Sequence, residues 1–265
     1  MVAVAEGTLS SGLPYLRLGQ GPPLVMMPGL SAEHTNPTGL WRRIYLSGAA
    51  PYAEHFTVFL ANRRAGLEAG SSMTDIAADY AAAIENDIGE PVLVHGTSTG
   101  GSVALQLAVD RPELVKRLVV ASSACRLSPA GRRMQAEFAR LTAEGDVRRA
   151  WANLMGMVVP GVLRPPVWGL GWLAGRSLAV EDPADMLITV AAEDSFDAEP
   201  GLHRVQAPTL VLGGTTDPFY SEDLFRRTAA GVPDGRAVLF PGKGHTYPAS
   251  SKHAAGLSLG FYLAG

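Results

Sequence analysis

Three side chains in this 265-residue sequence are flanked so that they could share one reaction: Ser98, Asp217 and His245. A serine hydroxyl is a poor nucleophile until a base takes its proton, and the base needs a third group to orient it and offset its charge. Ser98 stands in Gly96-Thr97-Ser98-Thr99-Gly100, directly after the apolar run Val92-Leu93-Val94 and before a segment with apolar residues at Val103, Leu105, Leu107, Ala108 and Val109. This is the pattern of a tight strand-to-helix turn that lifts a serine hydroxyl above the end of a sheet. Glycine suits 96 and 100 because the turn is strained and a side chain would strike the neighbouring strand or helix. The N–H of Thr99, at the start of the helix, has no intrahelical acceptor and can face a developing oxyanion.

The base and the acid come from further along the chain. Asp217 follows the predicted strand 208–214 in Gly213-Gly214-Thr215-Thr216-Asp217-Pro218, and His245 follows the predicted strand 237–240 in Pro241-Gly242-Lys243-Gly244-His245. Both sit beyond the carboxyl ends of strands, on the edge of the sheet where open α/β folds place their ligands. Residues 121–126 hold no carboxylate, so Asp217 has no rival after the preceding strand. Of the remaining histidines, His95 directly precedes the turn and is expected to be buried structure. His34 lies in the loop after strand 24–27, where it either contacts substrate or is solvated. His55, His203 and His253 are expected at the surface. Cys125, the only cysteine, excludes an intrachain disulfide and is expected to pack rather than react. No Cys/His cluster has zinc-like spacing, so no metal is implied.

These residues need a sheet to hold them. Residues 2–9 and 13–18, joined by Ser10-Ser11-Gly12, read as an edge hairpin, and the fully apolar Leu24-Val25-Met26-Met27 reads as an interior strand ending in Pro28-Gly29-Leu30-Ser31. A weak helical pattern around Trp41, Ile44 and Tyr45 precedes a strand at 56–60. Next comes a helix capped by Ser72 or Thr74, with apolar positions Ile76, Ala77, Tyr80, Ala81, Ile84 and Ile88. With a further strand at 118–121, the alternation of strands and helices requires a parallel sheet with crossovers. Between 126 and 202 the alternation stops. Helices are predicted at 131–144 and 146–158, a Pro/Gly/Trp-rich stretch at 160–175 breaks every periodic pattern, and a helix runs from Pro183, capped by Asp182, to about Glu193. Residues 126–202 thus read as a helical lid inserted into a core of 1–125 and 203–265. Trp151, Met155, Met157, Trp168 and Trp172 either pack this lid on the core or line an apolar pocket under it; Trp151 and Met155 join His34 as candidate substrate contacts. A helix at 221–231 and a last one at 250–262 complete the pattern.

Four motifs, Pro28-Gly29-Leu30, Gly96-Thr97-Ser98-Thr99-Gly100, the run from Pro208 to Asp217 and Gly242-Lys243-Gly244-His245, occur in this order over nearly the whole chain. Together they resemble the α/β-hydrolase-fold serine hydrolases, carboxylesterase-like members in particular. The resemblance implies a mostly parallel eight-stranded-type sheet flanked by helices, with an inserted helical lid. It also implies a Ser98, Asp217, His245 triad, and a second oxyanion donor from the backbone N–H of Leu30 beside that of Thr99. The chain departs from the common His-Gly pair by carrying Pro28-Gly29, which removes a hydrogen bond that orders this loop.

The expected chemistry is acyl transfer: attack on a small to medium apolar carboxylic ester, an acyl-enzyme, and hydrolysis by water activated through His245. Loss of an oxyanion donor would cost about 3–4 kcal/mol. Thioester, lactone, carbon–carbon and perhydrolase chemistry use the same constellation, and a catalytically silent small-ligand-binding protein is the alternative from another class. A net charge of −3 with 18% charged and 47% hydrophobic residues gives no bias toward nucleic acid or anionic membranes. The first residues lack the basic and apolar regions of a signal peptide, and no apolar run approaches the roughly 20 residues of a membrane span. A cytoplasmic location, a small-molecule substrate as partner and no cofactor are therefore expected; oligomeric state is left open.

Overall fold

The computed structural model describes residues 3–157, 163–175 and 182–264. Eight strands form one sheet: β1 (Ala5–Thr8), β2 (Pro14–Leu18), β3 (Pro23–Met27), β4 (Thr57–Ala61), β5 (Val92–Thr97), β6 (Val115–Ala121), β7 (Thr209–Gly214) and β8 (Gly235–Phe240). Their order across the sheet is β1-β2-β4-β3-β5-β6-β7-β8. The β1–β2 hairpin is antiparallel, β2 runs antiparallel to β4, and every pairing from β4 to β8 is parallel. Residue 2 of the first predicted strand, and residues 158–162 and 176–181 of the predicted insertion, lie outside the described residues.

A period of two along the strands gives the sheet two buried faces. Val25, Met27, Val92, Val94, Leu118, Val120 and Val211 point into one core, while Leu24, Leu93, Val119, Leu210 and Leu212 point into the other. The first core is covered by α2 (Met73–Ala83), α3 (Thr99–Asp110) and α8 (Glu222–Gly231), through residues such as Ile76, Tyr80, Leu105 and Phe225. The second is covered by α1 (Gly39–Ala53) and α10 (Lys252–Leu263), through Tyr52, Ala53, Ala254 and Tyr262. Strands buried on both faces read as continuous apolar runs, which is why β3, β5 and β7 stand out in the sequence. At the start of α2, Ser72 and Asp75 form a reciprocal capping box, and the helix continues through a π-turn at Ile84–Ile88.

Among the described residues, four α-helices lie between β6 and β7: α4 (Pro129–Ala143), α5 (Val147–Met157), α6 (Arg164–Ala174) and α7 (Ala184–Ser195); the short α9 (Thr246–Ser250) follows β8. The helix expected from Pro183 with Asp182 as its cap starts one residue later: Pro183 takes the N-cap position, and Asp182, one residue before it, accepts the N–H of Ala184 at 2.9 Å. The Pro/Gly/Trp-rich stretch is in fact helical from Arg164 to Ala174. Pro165 and Pro166 fall in the first turn, where no N–H is required. Gly171 and Gly175 let α6 approach α5: a Cβ on them would lie 2.9 Å from Ala152 Cα and 2.7 Å from Arg148 Cα. The insertion has its own small core of Phe138, Leu141, Ala150 and Met186, against which Leu30, Ala32 and Trp151 pack. Among the described residues, no helix is long and apolar enough to cross a membrane.

Backbone contact between the β3 loop and α3 makes Gly100 irreplaceable. A Cβ there would lie 2.1 Å from Met27 O and 2.5 Å from Pro28 O. Gly100→Ala is expected to lose about 3 kcal/mol in urea unfolding. Gly48→Ala, on α1 with open space around it, should instead gain about 0.5–1 kcal/mol from helix propensity.

Candidate active site

Ser98 sits between β5 and α3 with φ 52° and ψ −125°, outside the regions an L-residue prefers. Its N–H donates to Ala121 O at 2.9 Å, and its carbonyl accepts the N–H of Gly101 at 2.6 Å. From this position the Ser98 hydroxyl meets His245 Nε2 at 3.0 Å, and His245 Nδ1 meets Asp217 Oδ2 at 2.8 Å. A carboxylate can only accept, so Nδ1 carries the proton and Nε2 is free to accept from Ser98. Residues 98, 217 and 245, far apart in the chain, are thus brought into one hydrogen-bonded line. Such a line can strip a proton from a hydroxyl and hold the resulting imidazolium against a negative charge.

Each partner is itself fixed. The Asp217 side chain is fully buried, and its Oδ1 accepts the N–H groups of Phe219 at 2.8 Å and Tyr220 at 3.3 Å, so the turn that follows β7 holds the carboxylate still. The rings of Phe219 and Tyr220 lie against His245, with centroids 4.8 and 6.2 Å away. Ser122, at the end of β6, has φ 54° and donates its hydroxyl to the His245 carbonyl at 2.6 Å. Ser98 and Ser122 are the only non-glycine residues with positive φ among the described residues, and both serve this site.

The loop after β3 is organised by a residue that sequence reasoning passed over. Arg63, 1% exposed, donates from Nη1 to Pro28 O at 3.2 Å, from Nη2 to Gly29 O and Ser31 Oγ at 2.9 Å each, and from Nε to His34 Nε2 at 3.2 Å. The guanidinium supplies the order that a histidine before Gly29 would otherwise provide. Because a trans peptide sets C=O and N–H on opposite sides, anchoring Gly29 O to Arg63 turns the N–H of Leu30 the other way. Gly29 itself borders Ser98: a Cβ on it would lie 3.3 Å from Ser98 Cβ. The one available signal was an arginine pair at the carboxyl end of an apolar strand.

His34 is not a solvated loop residue. It is 4% exposed, and both ring nitrogens are engaged, Nε2 by Arg63 and Nδ1 by Arg64 O at 2.8 Å, so it braces the loop from behind. Trp151 does border open space: a cavity of about 310 Å³ beside the β3 loop is lined by Leu30, Ser31, Trp41, Tyr45, Asn62 and Trp151, among others. Met155 is not among its lining residues; its sulfur lies near Gly171, between α5 and α6. A larger groove of about 620 Å³ crosses α4, α5 and α6; Ser98, Asp217 and His245 are among the lining residues of neither space, and the smaller one reaches the site only through the β3 loop at Pro28 and Leu30. His95 is buried against Tyr52 and Tyr262, whereas His55, His203 and His253 are exposed. Burial also raises the Cys125 thiol, in keeping with a packed residue. Among the described residues, no group of three His, Cys, Asp or Glu is placed to hold a metal ion.

The alpha/beta hydrolase family model matches residues 24–257 of this chain. A pimeloyl-acyl-carrier-protein methyl ester esterase of Nitrosomonas europaea is 26% identical over 238 residues, spanning 86% of this chain and 90% of that protein. Two solved structures share the fold. A hydrolase from Pseudomonas aeruginosa superposes with a TM-score of 0.78 at 19% identity, covering 99% of this chain and 98% of its own. A thermophilic esterase from Thermogutta terrifontis reaches 0.73 at 20% identity, covering 99% and 98%.

The bracing of the β3 loop requires neutral His34, whose pKa is lowered from 6.5 to about 4 by burial and then by the adjacent Arg63 charge. His95 is likewise lowered to about 4, by burial alone. The unfolded chain binds both protons near pH 6.5, so the stability these groups contribute is complete above that pH and is lost as pH falls toward 4. Urea unfolding from pH 7 to 4.5 should therefore show stability falling with acid. His34→Gln, which can still pair with Arg63, should remove about one proton's share of that slope, about 1.4 kcal/mol per pH unit.

Proposed function

Because the chain belongs to the alpha/beta hydrolase family, we propose that it hydrolyses a small to medium apolar carboxylic ester, with Ser98, His245 and Asp217 as its catalytic triad. The observation that carries this reading is the hydrogen-bonded line from Ser98 Oγ through His245 to a fully buried Asp217. In this mechanism Ser98 Oγ bonds to the ester carbonyl carbon as its proton passes to His245 Nε2. The carbonyl oxygen becomes an oxyanion that accepts from the N–H groups of Thr99 and Leu30. Collapse of the tetrahedral intermediate breaks the bond to the alcohol, which leaves with the proton held on His245. Water then attacks the acyl-enzyme, gives its proton to His245 and releases the acid, and the proton returns to Ser98. Asp217 stays ionised throughout and stabilises the imidazolium.

Residues 126–202 act as a lid on the core formed by 1–125 and 203–265. The packing of Leu30 and Ala32 against the insertion's own core supports this, since it joins the oxyanion loop to the lid. The cavity of about 310 Å³ lies at the small end of the roughly 300–1,000 Å³ typical of small-molecule sites, and its wall of Leu30, Trp41, Tyr45 and Trp151 favours an apolar group.

Wild-type protein is expected to turn over p-nitrophenyl esters and to be labelled by a fluorophosphonate, with Ser98→Ala doing neither and retaining at most about a thousandth of kcat. A folded wild type that neither labels nor turns over would sink the reading. In a chain-length series, Trp151→Ala should move the optimum toward longer substrates; an unchanged optimum would remove the cavity from the substrate path.

A further inference from the structure

A closed path of hydrogen bonds runs through the site and returns to it by way of the lid. It leaves Ser98 Oγ for His245 and Asp217, whose Oδ1 accepts the N–H of Tyr220. The Tyr220 hydroxyl donates to Glu193 Oε1 at 3.2 Å, and Glu193 Oε2 accepts the hydroxyl of Thr99 at 2.8 Å. Thr99 is the residue after Ser98, so the path closes. Glu193 belongs to α7 and is 1% exposed. It also accepts from Ser102 Oγ at 2.9 Å and from Gln135 Nε2 at 2.9 Å. One buried carboxylate therefore takes four donors from three other parts of the fold: α3, α4 and the loop after β7.

From this geometry we propose that Glu193 is a positioning residue for the reaction, through which the docking of the lid sets the alignment of the triad and the oxyanion donor. The proposal rests on the reading of Ser98, His245 and Asp217 as the triad. A buried carboxylate is costly unless every lone pair is met, and simple packing of α7 would be served as well by an apolar side chain. All four contacts point into the Glu193 carboxyl group, so a side chain that brings its own N–H groups to this place must break or reverse some of them. Two of these partners bear on the chemistry. Thr99 presents the N–H assigned to the oxyanion, and Tyr220 stacks on His245 at an interplanar angle of 16° while its own N–H holds Asp217. A lid lifted from the core would release both at once, lowering the rate of the chemical step.

Glu193→Gln preserves the volume but puts an amide NH2 where only acceptors are wanted. Gln135 Nε2 cannot accept, so the NH2 must turn toward Ser102 Oγ and the Tyr220 hydroxyl and reverse their bonds. Tyr220→Phe removes only the hydroxyl and keeps both the ring and the N–H. Both variants and their combination would be assayed on a p-nitrophenyl ester, with rates expressed per active site titrated by a fluorophosphonate and Tm followed in parallel. Glu193→Gln should lose about 10- to 100-fold in kcat with KM within about twofold. Tyr220→Phe should lose less, and the double variant less than the product of the two. A folded Glu193→Gln with wild-type kcat per site, whatever its Tm, overturns the proposal and leaves Glu193 a packing residue. If Glu193→Gln does not fold, Tyr220→Phe decides: a wild-type kcat overturns the proposal and a lowered one supports it. Unchanged variants beside an active wild type remove the role of Glu193 alone, whereas a wild type that neither labels nor reacts removes the triad and this role with it.

Discussion

The backbone of Ser98 at φ 52° is the constraint around which this molecule is arranged. Such a conformation costs about 1–3 kcal/mol in a non-glycine residue and persists only where the surroundings allow nothing else. Here the surroundings are backbone. The N–H of Ser98 is tied to β6 through Ala121, its carbonyl starts α3, and a Cβ on Gly96 or Gly100 would collide with main-chain oxygens. A turn held so tightly aims the hydroxyl in one direction, and the loops after β7 and β8 meet it there.

Two buried ions flank that turn and do opposite jobs. Arg63 gathers carbonyls and so orients the peptides of the β3 loop; Glu193 gathers hydroxyls and an amide and so ties the insertion to α3. Burial drives the Arg63 guanidinium below its ordinary value, with the charge of Glu193 among the influences that oppose the shift. Among the described residues, neither side chain is paired with one close opposite charge. Each is met by several neutral dipoles, an arrangement that gives direction to every contact and leaves little room for rearrangement.

Much of this was legible in the sequence because it is local. Strands buried on both faces leave apolar runs, and Ser98, Asp217 and His245 each stand in a turn within a few residues of glycine at a strand end. The deeper layer was not legible because it is made of distant pairs. Thr99 and Glu193 are 94 residues apart, and Arg63 and Pro28 are 35 apart, with no periodicity linking either pair. His34 carried too little information for the same reason: burial among Arg63, Arg64 and the β3 loop is a property of the assembled fold. In α6 the local signal was misleading. Gly171 resembles a breaker in sequence, yet its missing side chain allows α5 to approach, a tertiary reason that outweighs helix propensity, whereas Gly175 does stand where the helix ends.

The strand order also fixes when Ser98 Oγ can meet His245. Ser98 leaves the ribosome early, directly after β5, whereas His245 follows β8, the last strand to be made and the one at the far edge of the sheet. A growing chain that has built the strained turn still lacks both Asp217 and His245, so its hydroxyl has neither partner. The hydrogen-bonded line from Ser98 through His245 to Asp217 thus closes only with the addition of the final edge of the sheet, and a chain that ends before His245 cannot form it.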